Sequence, residues 1–288
     1  MSSSSLVNKV SLPILLVLSA LLTSCHGHSN NAARHDELSV SNPAMGFFVS
    51  RLVPDSIKVN VLIPQGADHD SYTPRPSQLK SLGNSLAYLA FGPLEFEITW
   101  KDRLTDAAPS MQWLDMSQGI QLIASDHHSA DPHYWLSPRQ AKTLASNIAN
   151  AVTTLIPPLS HYTDSALVAL NADIDAADSL LLDAANARPA QTFVIYHPAL
   201  AYLARDYSLH QLSVASEGVS PQPRRYAELA DSARQANARV FFIQPGTTPD
   251  RFNATAKEIG CRIIPISPEG PDWIGTMATI AAALKDNE

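Results

Sequence analysis

The chain has 288 residues and a formal net charge of -7, with 45% of its residues hydrophobic and 16% charged. That length exceeds what a single hydrophobic core usually serves, so two lobes are expected, and the composition is that of a folded globular body. The acidic balance argues against nucleic acid and anionic membrane surfaces as partners.

At the amino terminus Lys9 precedes an apolar run, Val10 to Leu22, that is too short and too soon followed by polar residues to span a membrane. It has the form of a secretory signal. Leu22-Thr23-Ser24-Cys25 resembles a bacterial lipobox, which implies cleavage after residue 24 and lipidation of Cys25. Loss of residues 1–24 removes only Lys9 among the charged side chains and takes the net charge from -7 to -8. A lipid anchor of more than one chain then ties the protein stably to a membrane. The only other cysteine is Cys261, so no intrachain disulfide is expected after lipidation. Cys261 precedes the strand Ile263 to Ile266, the end of a strand where ligands are not expected. Residues 25–36, rich in Ser, Asn, Ala, Gly and His, form a flexible tether in which His26, His28 and His35 are solvated.

The first lobe is expected over 37–158. Leu38 to Ser41 is a short strand, Pro43 to Leu52 a helix with Met45, Phe48 and Leu52 on its apolar face, and Ile57 to Ile63 a strand by alternation. The loop Gly66 to Tyr72 follows and carries His69 and Asp70. Arg75 to Gly83 is a helix ended by Gly83, and Leu86 to Phe91 a buried strand, which makes a βαβ unit. Phe96 to Leu114, with Trp100 and Trp113, has no clear period and is expected to cover one edge irregularly. Gln121 to Ala124 is a further strand, followed by a polar loop with Asp126, His127 and His128.

Asp131-Pro132-His133-Tyr134-Trp135-Leu136-Ser137-Pro138 sets an imidazole and two large aromatics on a corner, and Ser137-Pro138 has the chemistry of a helix start. Ala141, Leu144, Ile148 and Val152 then form a helical stripe. After Pro157-Pro158, Thr163 or Asp164 can cap a helix whose Leu167, Leu170, Ile174, Ala177 and Leu181 keep the 3.6 period without a glycine. The segment 159–189 is therefore a stiff connecting helix that resists hinge bending. The second lobe, 190–288, alternates strands (Thr192 to Tyr196, Leu212 to Ala215, Val240 to Ile243, Ile263 to Ile266) with helices (Leu200 to Tyr207, Tyr226 to Ala236, Pro249 to Ile259, Trp273 to Leu284). Thr248 is placed to cap the third of these helices and Gly260 to close it. The fold class is α/β: two lobes, each a mainly parallel sheet flanked by helices, joined by one long helix.

Three histidines fall at loop positions beside strand or helix ends, His69, His133 and His197, each 64 residues from the next. Only a tertiary fold can join them. Neutral imidazole is the commonest transition-metal ligand and zinc accepts nitrogen and oxygen donors in a tetrahedron, whereas calcium and magnesium want more oxygens. A zinc site with one bound water also suits a hydrolase, but no HExxH or Ser-His-Asp arrangement accompanies these residues.

Through Val61 to Asp68, Tyr72 to Gln78, Asp131 to Pro138 and Tyr196-His197, the chain resembles the metal-binding lipoproteins that deliver zinc or manganese to ABC importers in bacterial envelopes. The matching stretches are Val61-Leu62-Ile63-Pro64-Gln65-Gly66-Ala67-Asp68 running into Tyr72-Thr73-Pro74-Arg75-Pro76-Ser77-Gln78, then Asp131 to Pro138 and Tyr196-His197. Glu217-Gly218, Phe242-Ile243-Gln244-Pro245 and Pro271-Asp272-Trp273 complete the set. The resemblance implies metal ligands at His133, at His197 and in the Gly-Ala-x-x loop. In relatives similar to manganese binders the position of His197 tends to hold a carboxylate, so the imidazole favours Zn(II) over Mn(II).

Two positions depart from the pattern. Asp70 stands where the family usually has its first histidine, with His69 just before it, and Ser267 stands where the family usually has an aspartate. A serine hydroxyl is a poor zinc ligand, so the fourth donor is Asp70, a water, or His127 or His128, with Asp126 a weaker candidate. The resemblance further implies a monomeric, lipid-anchored binding protein on the extracytoplasmic face, with an ABC permease as its partner and no catalysis. A zinc hydrolase, or an envelope adhesin or metal-storage protein on the same fold, are the competing expectations.

Overall fold

The computed structural model describes residues 37–125, 130–189, 191–215, 223–244 and 249–286. The signal, the tether with Cys25, the Asp126-His127-His128 loop, Glu217-Gly218, Pro245 and Thr248 lie outside the described residues.

The first sheet contains β1 (Glu37–Val40), β2 (Lys58–Val61), β3 (Ser85–Ala90) and β4 (Gln112–Asp115), all parallel, in the order β2-β1-β3-β4. Parallel neighbours need crossovers. Helices α1 (Pro43–Leu52), α2 (Pro76–Ser81) and α3 (Glu95–Ala107) supply them. A 3-10 turn, His133–Leu136, leads into α4 (Pro138–Leu155), and α5 (Ser160–Ala187) is the long helix of 28 residues. The second sheet, β5 (Thr192–Ile195), β6 (His210–Ser213), β7 (Val240–Ile243) and β8 (Arg262–Pro265), repeats the order of the first as β6-β5-β7-β8 and is again parallel. Its helices are α6 (Ala201–Asp206), α7 (Pro223–Gln235), α8 (Pro249–Ile259) and α9 (Trp273–Lys285).

Four local expectations are corrected. Phe96 to Leu114 is regular: Phe96, Glu97 and Leu104 form the buried face of α3, and Trp113 lies in β4. Gln121 to Ala124 is no strand, because its backbone is used elsewhere: the Ile123 N–H donates to the Tyr202 hydroxyl (3.0 Å) and the Ile123 carbonyl accepts from the Asp131 N–H (2.8 Å). The long helix starts at Ser160, and Thr163 donates to the Leu52 carbonyl (3.1 Å) from inside it. Ser137 has the extended backbone of a cap, but its hydroxyl donates to Asp206 (2.6 Å) and Pro138 opens α4.

Leu170, Ile174, Ala177 and Leu181 of α5 are buried, as their spacing predicts. They belong to a contiguous core that includes Val40 of β1, Phe48 of α1, Ile148 of α4, Phe193 of β5 and Ile280 of α9. A second core, with Val194, Phe241 and Phe252, lies on the other face of the second sheet. Cys261 is half-buried at the head of β8, its thiol 3.2 Å from the Ala238 carbonyl, and burial pushes its pKa up to about 11.

Beneath the His133 corner lies a buried carboxyl. Glu97, on the first turn of α3, accepts from the Phe91 N–H (2.9 Å), the Gly92 N–H (2.8 Å) and the Ser41 hydroxyl. Gly92 is required there, since its φ is +97° and a Cβ would meet Asp115 Oδ1 at 2.6 Å. The turn so fixed sets the Phe91 ring 4.2 Å from Trp135. Burial pushes Glu97 up to about 7 against these hydrogen bonds. Because the folded carboxyl holds its proton to higher pH than the unfolded one, its contribution is full below about 4.5 and is lost as pH rises to about 7. Urea unfolding of wild type between pH 4.5 and 7 should therefore show a falling component that Glu97→Gln lacks. Parallel pH profiles for the two proteins would contradict the assignment.

Candidate metal centre

Parallel strands bring all their carboxyl ends to one side, and the loops there carry the chemistry. His69 lies in the loop after β2, His133 in the segment after β4, and His197 just beyond β5. One ligand atom from each of the three lies within 4.8 Å of the others, and their ring centroids are 5.1–5.9 Å apart.

The first loop is built by local turns. Gly66, at φ +82°, lets the chain reverse with the Ala67 N–H donating to the Pro64 carbonyl (3.1 Å). Asp68 then accepts from the Asp70 N–H (3.0 Å) and the Ser71 hydroxyl (3.1 Å), and His69 is carried inward to 2% exposure. Its Nδ1 is 2.6 Å from Glu269 Oε1, and its Nε2 is 3.2 Å from Asp70 Oδ1. Burial opposes a charge on this ring. Glu269, with Asp70 and Asp68 behind it, overrides burial and raises the His69 pKa to about 9. The ring thus lies between the carboxyl groups of Glu269 and Asp70.

His133 is 1% exposed and differently held. Asp131 Oδ1 accepts from both the His133 backbone N–H (2.8 Å) and Nδ1 (2.9 Å), which turns Nε2 away toward the other histidines. His133 Nε2 and His197 Nε2 stand 3.3 Å apart. Two nitrogens bound tetrahedrally at ~2.0–2.1 Å from zinc are themselves about 3.3–3.4 Å apart, so this pair already has the separation of a tetrahedral edge.

The structure thus brings His69, His133 and His197 together and groups Asp70 with His69 and Asp68. Ser267 opens the loop after β8, where its carbonyl accepts from the Gly270 N–H (3.0 Å) and the Thr276 hydroxyl (3.3 Å). His127, His128 and Asp126 lie outside the described residues. Two carboxylates are missed by sequence reasoning, Asp131 and Glu269. Asp131 is legible as Asp-x-His, the spacing of a side chain that caps its own neighbour's ring; Glu269, 200 residues from His69, leaves no local sign.

Two tryptophans bind the corners of the site to each other. Trp135 Nε1–H donates to the Pro268 carbonyl (2.9 Å), and Trp273 Nε1–H donates to the Trp135 carbonyl (2.7 Å), both side chains being buried.

Residues 39–287 match the family model for the periplasmic zinc-uptake complex component A. The chain belongs to this family. A high-affinity zinc uptake system protein ZnuA of Bacillus subtilis (strain 168) is 25% identical, over 75% of this chain and 72% of its own length. The zinc-binding lipoprotein AdcA of Streptococcus pneumoniae serotype 4 is 21% identical over 97% of this chain, which spans 61% of that protein. Among solved structures, a crystal structure of ZnuA superposes with a TM-score of 0.79 at 31% identity, covering 86% of this chain and 98% of that one. A manganese-bound periplasmic metal-binding protein from Candidatus Liberibacter asiaticus shares the fold, with a TM-score of 0.75 at 20% identity over 86% of this chain and 99% of that one. The family is one of periplasmic solute-binding components of zinc uptake. Among the described residues no helix is long and apolar enough to cross a membrane.

Proposed function

We propose that this chain captures Zn(II) between its two sheets through His69, His133 and His197 and delivers it to an ABC permease. The observation that carries the reading is the convergence of three imidazoles, two of them with Nε2 atoms 3.3 Å apart. Three nitrogen donors with no glutamate or aspartate among the three favour zinc over manganese, which prefers oxygen. Names of relatives lend support, since zinc-binding and zinc-bound proteins stand beside a manganese-bound one.

In this reading zinc binds Nε2 of His69, which must be free of a proton to serve as a ligand. Asp70 is then beside the ion, as fourth donor or as the acceptor of a hydrogen bond from a bound water. The site binds and releases; it performs no chemistry on its cargo. The domain plan that goes with this is a first lobe over 37–158, a connecting segment over 159–189 and a second lobe over 190–288, and the protein acts as a monomer. Lipidation at Cys25 keeps it near its permease, so Cys25→Ala should incorporate no palmitate on metabolic labelling; a labelled alanine variant would refute that part.

Calorimetric titration with zinc tests the site. One donor of four in a site worth ~10–16 kcal/mol is ~2.5–4 kcal/mol, so His69→Ala should lose about 10²–10³-fold in affinity. Asp70→Ala should lose less, because water replaces an oxygen donor. Loss on Asp70→Ala with wild-type binding by His69→Ala would overturn the ligand assignment.

A further inference from the structure

The ring of His69 is held by a residue on the far wall of the site. Its Nδ1 and Glu269 Oε1 are 2.6 Å apart, a charge-assisted distance, although the loop of His69 follows β2 in the first sheet and that of Glu269 follows β8 in the second. We propose that Glu269 is a positioning residue for zinc capture: by holding Nδ1 of His69 it presents Nε2 to the ion, and it sets His69 in register with His133. This rests on the reading of the three histidines as ligands.

The turn that carries Glu269 is closed by a backbone hydrogen bond. The Gly270 N–H closes onto the Ser267 carbonyl (3.0 Å), and a Cβ on Gly270 would meet Ser267 Cβ at 2.8 Å, so the chain can pass there only as glycine. The Thr276 hydroxyl of α9 holds the same Ser267 carbonyl at 3.3 Å. Pro268, inside the turn, accepts the indole N–H of Trp135, and Trp135 is two residues from His133. One four-residue turn therefore touches both histidine corners, His69 through Glu269 and the His133 corner through Trp135. A shift of that turn moves the two imidazoles relative to each other.

Glu269 also completes a symmetry of roles. Asp131 holds Nδ1 of His133 at 2.9 Å, as Glu269 holds Nδ1 of His69. Carboxylates behind metal-bound imidazoles fix ring orientation and raise ligand basicity, and their loss typically costs 10–100-fold in metal affinity. Glu269 stays behind its histidine: among the described residues the converging donor groups are His69, His133 and His197, and Asp68, His69 and Asp70.

The test uses the full mature chain as wild type, Glu269→Ala and Glu269→Gln, with zinc affinity by competition against a chelator and nitrogen-15 NMR of the zinc-loaded histidines. Wild type should show His69 protonated at Nδ1 and metal-bound at Nε2. Glu269→Ala should bind zinc about 10–100-fold more weakly and lose the protected Nδ1–H signal of His69. Glu269→Gln, whose amide oxygen still accepts from Nδ1–H, should recover most of the affinity and keep the signal. Thermal melts of the metal-free variants separate this from loss of folding. Unchanged affinity and an unchanged His69 signal in Glu269→Ala overturn the proposal. So does a Gln variant as weak as the Ala variant with the His69 signal intact, since that marks Glu269 as an oxygen ligand. If wild type itself takes up no zinc, or takes it up without His69, the reading of the site fails instead.

Discussion

The constraint on which the site depends is the orientation of imidazole rings. A histidine can offer a metal either nitrogen, and a ring free to rotate offers neither reliably. Here the charge of Asp131 behind His133 and of Glu269 behind His69 removes that freedom, with contacts of 2.9 and 2.6 Å. The cost is the burial of Asp131 and of the two imidazole rings, 1–2% exposed, which hydrogen bonding must offset. The same carboxylates that orient His69 outweigh its burial and raise its pKa to about 9.

The rest of the fold supplies rigid mounts for those carboxylates. Glu97, buried under the β3–α3 turn, fixes Phe91, and Phe91 supports Trp135. Trp135 and Trp273 tie the His133 corner to the last loop and to α9, whose Trp273 packs on Phe47 and Phe48 of α1. Each neutral hydrogen bond is worth only about 0.5–1.5 kcal/mol net. On the proposed reading, that is a scale at which docking to a permease can loosen the site without unfolding a lobe, and the glycine-free α5 directs the movement to the loops.

Much of this is legible in the sequence. Two runs of alternating strands and helices announce two parallel sheets, and the stripe through Leu170, Ile174 and Leu181 announces the long helix, because burial of one face imposes its period on the chain. The region 96–114 reads as irregular because α3 has a narrow buried face, with Phe96 and Leu104 framing a buried Glu97 that reads as polar. Gln121 to Ala124 looks like a strand because short apolar runs carry no sign of whether a partner strand is beside them. The three histidines can be named from their places at strand and helix ends. Glu269 cannot, since its role exists only after two loops 200 residues apart have met.

The central claim is that zinc is held by three imidazoles. X-ray absorption at the zinc edge of the protein loaded with one equivalent tests it most directly, since imidazole rings give a distinct outer-shell scattering pattern. The account predicts three imidazole nitrogens and one oxygen at ~2.0–2.2 Å. A shell with two imidazoles or fewer, or one containing sulfur from Cys261, would contradict it.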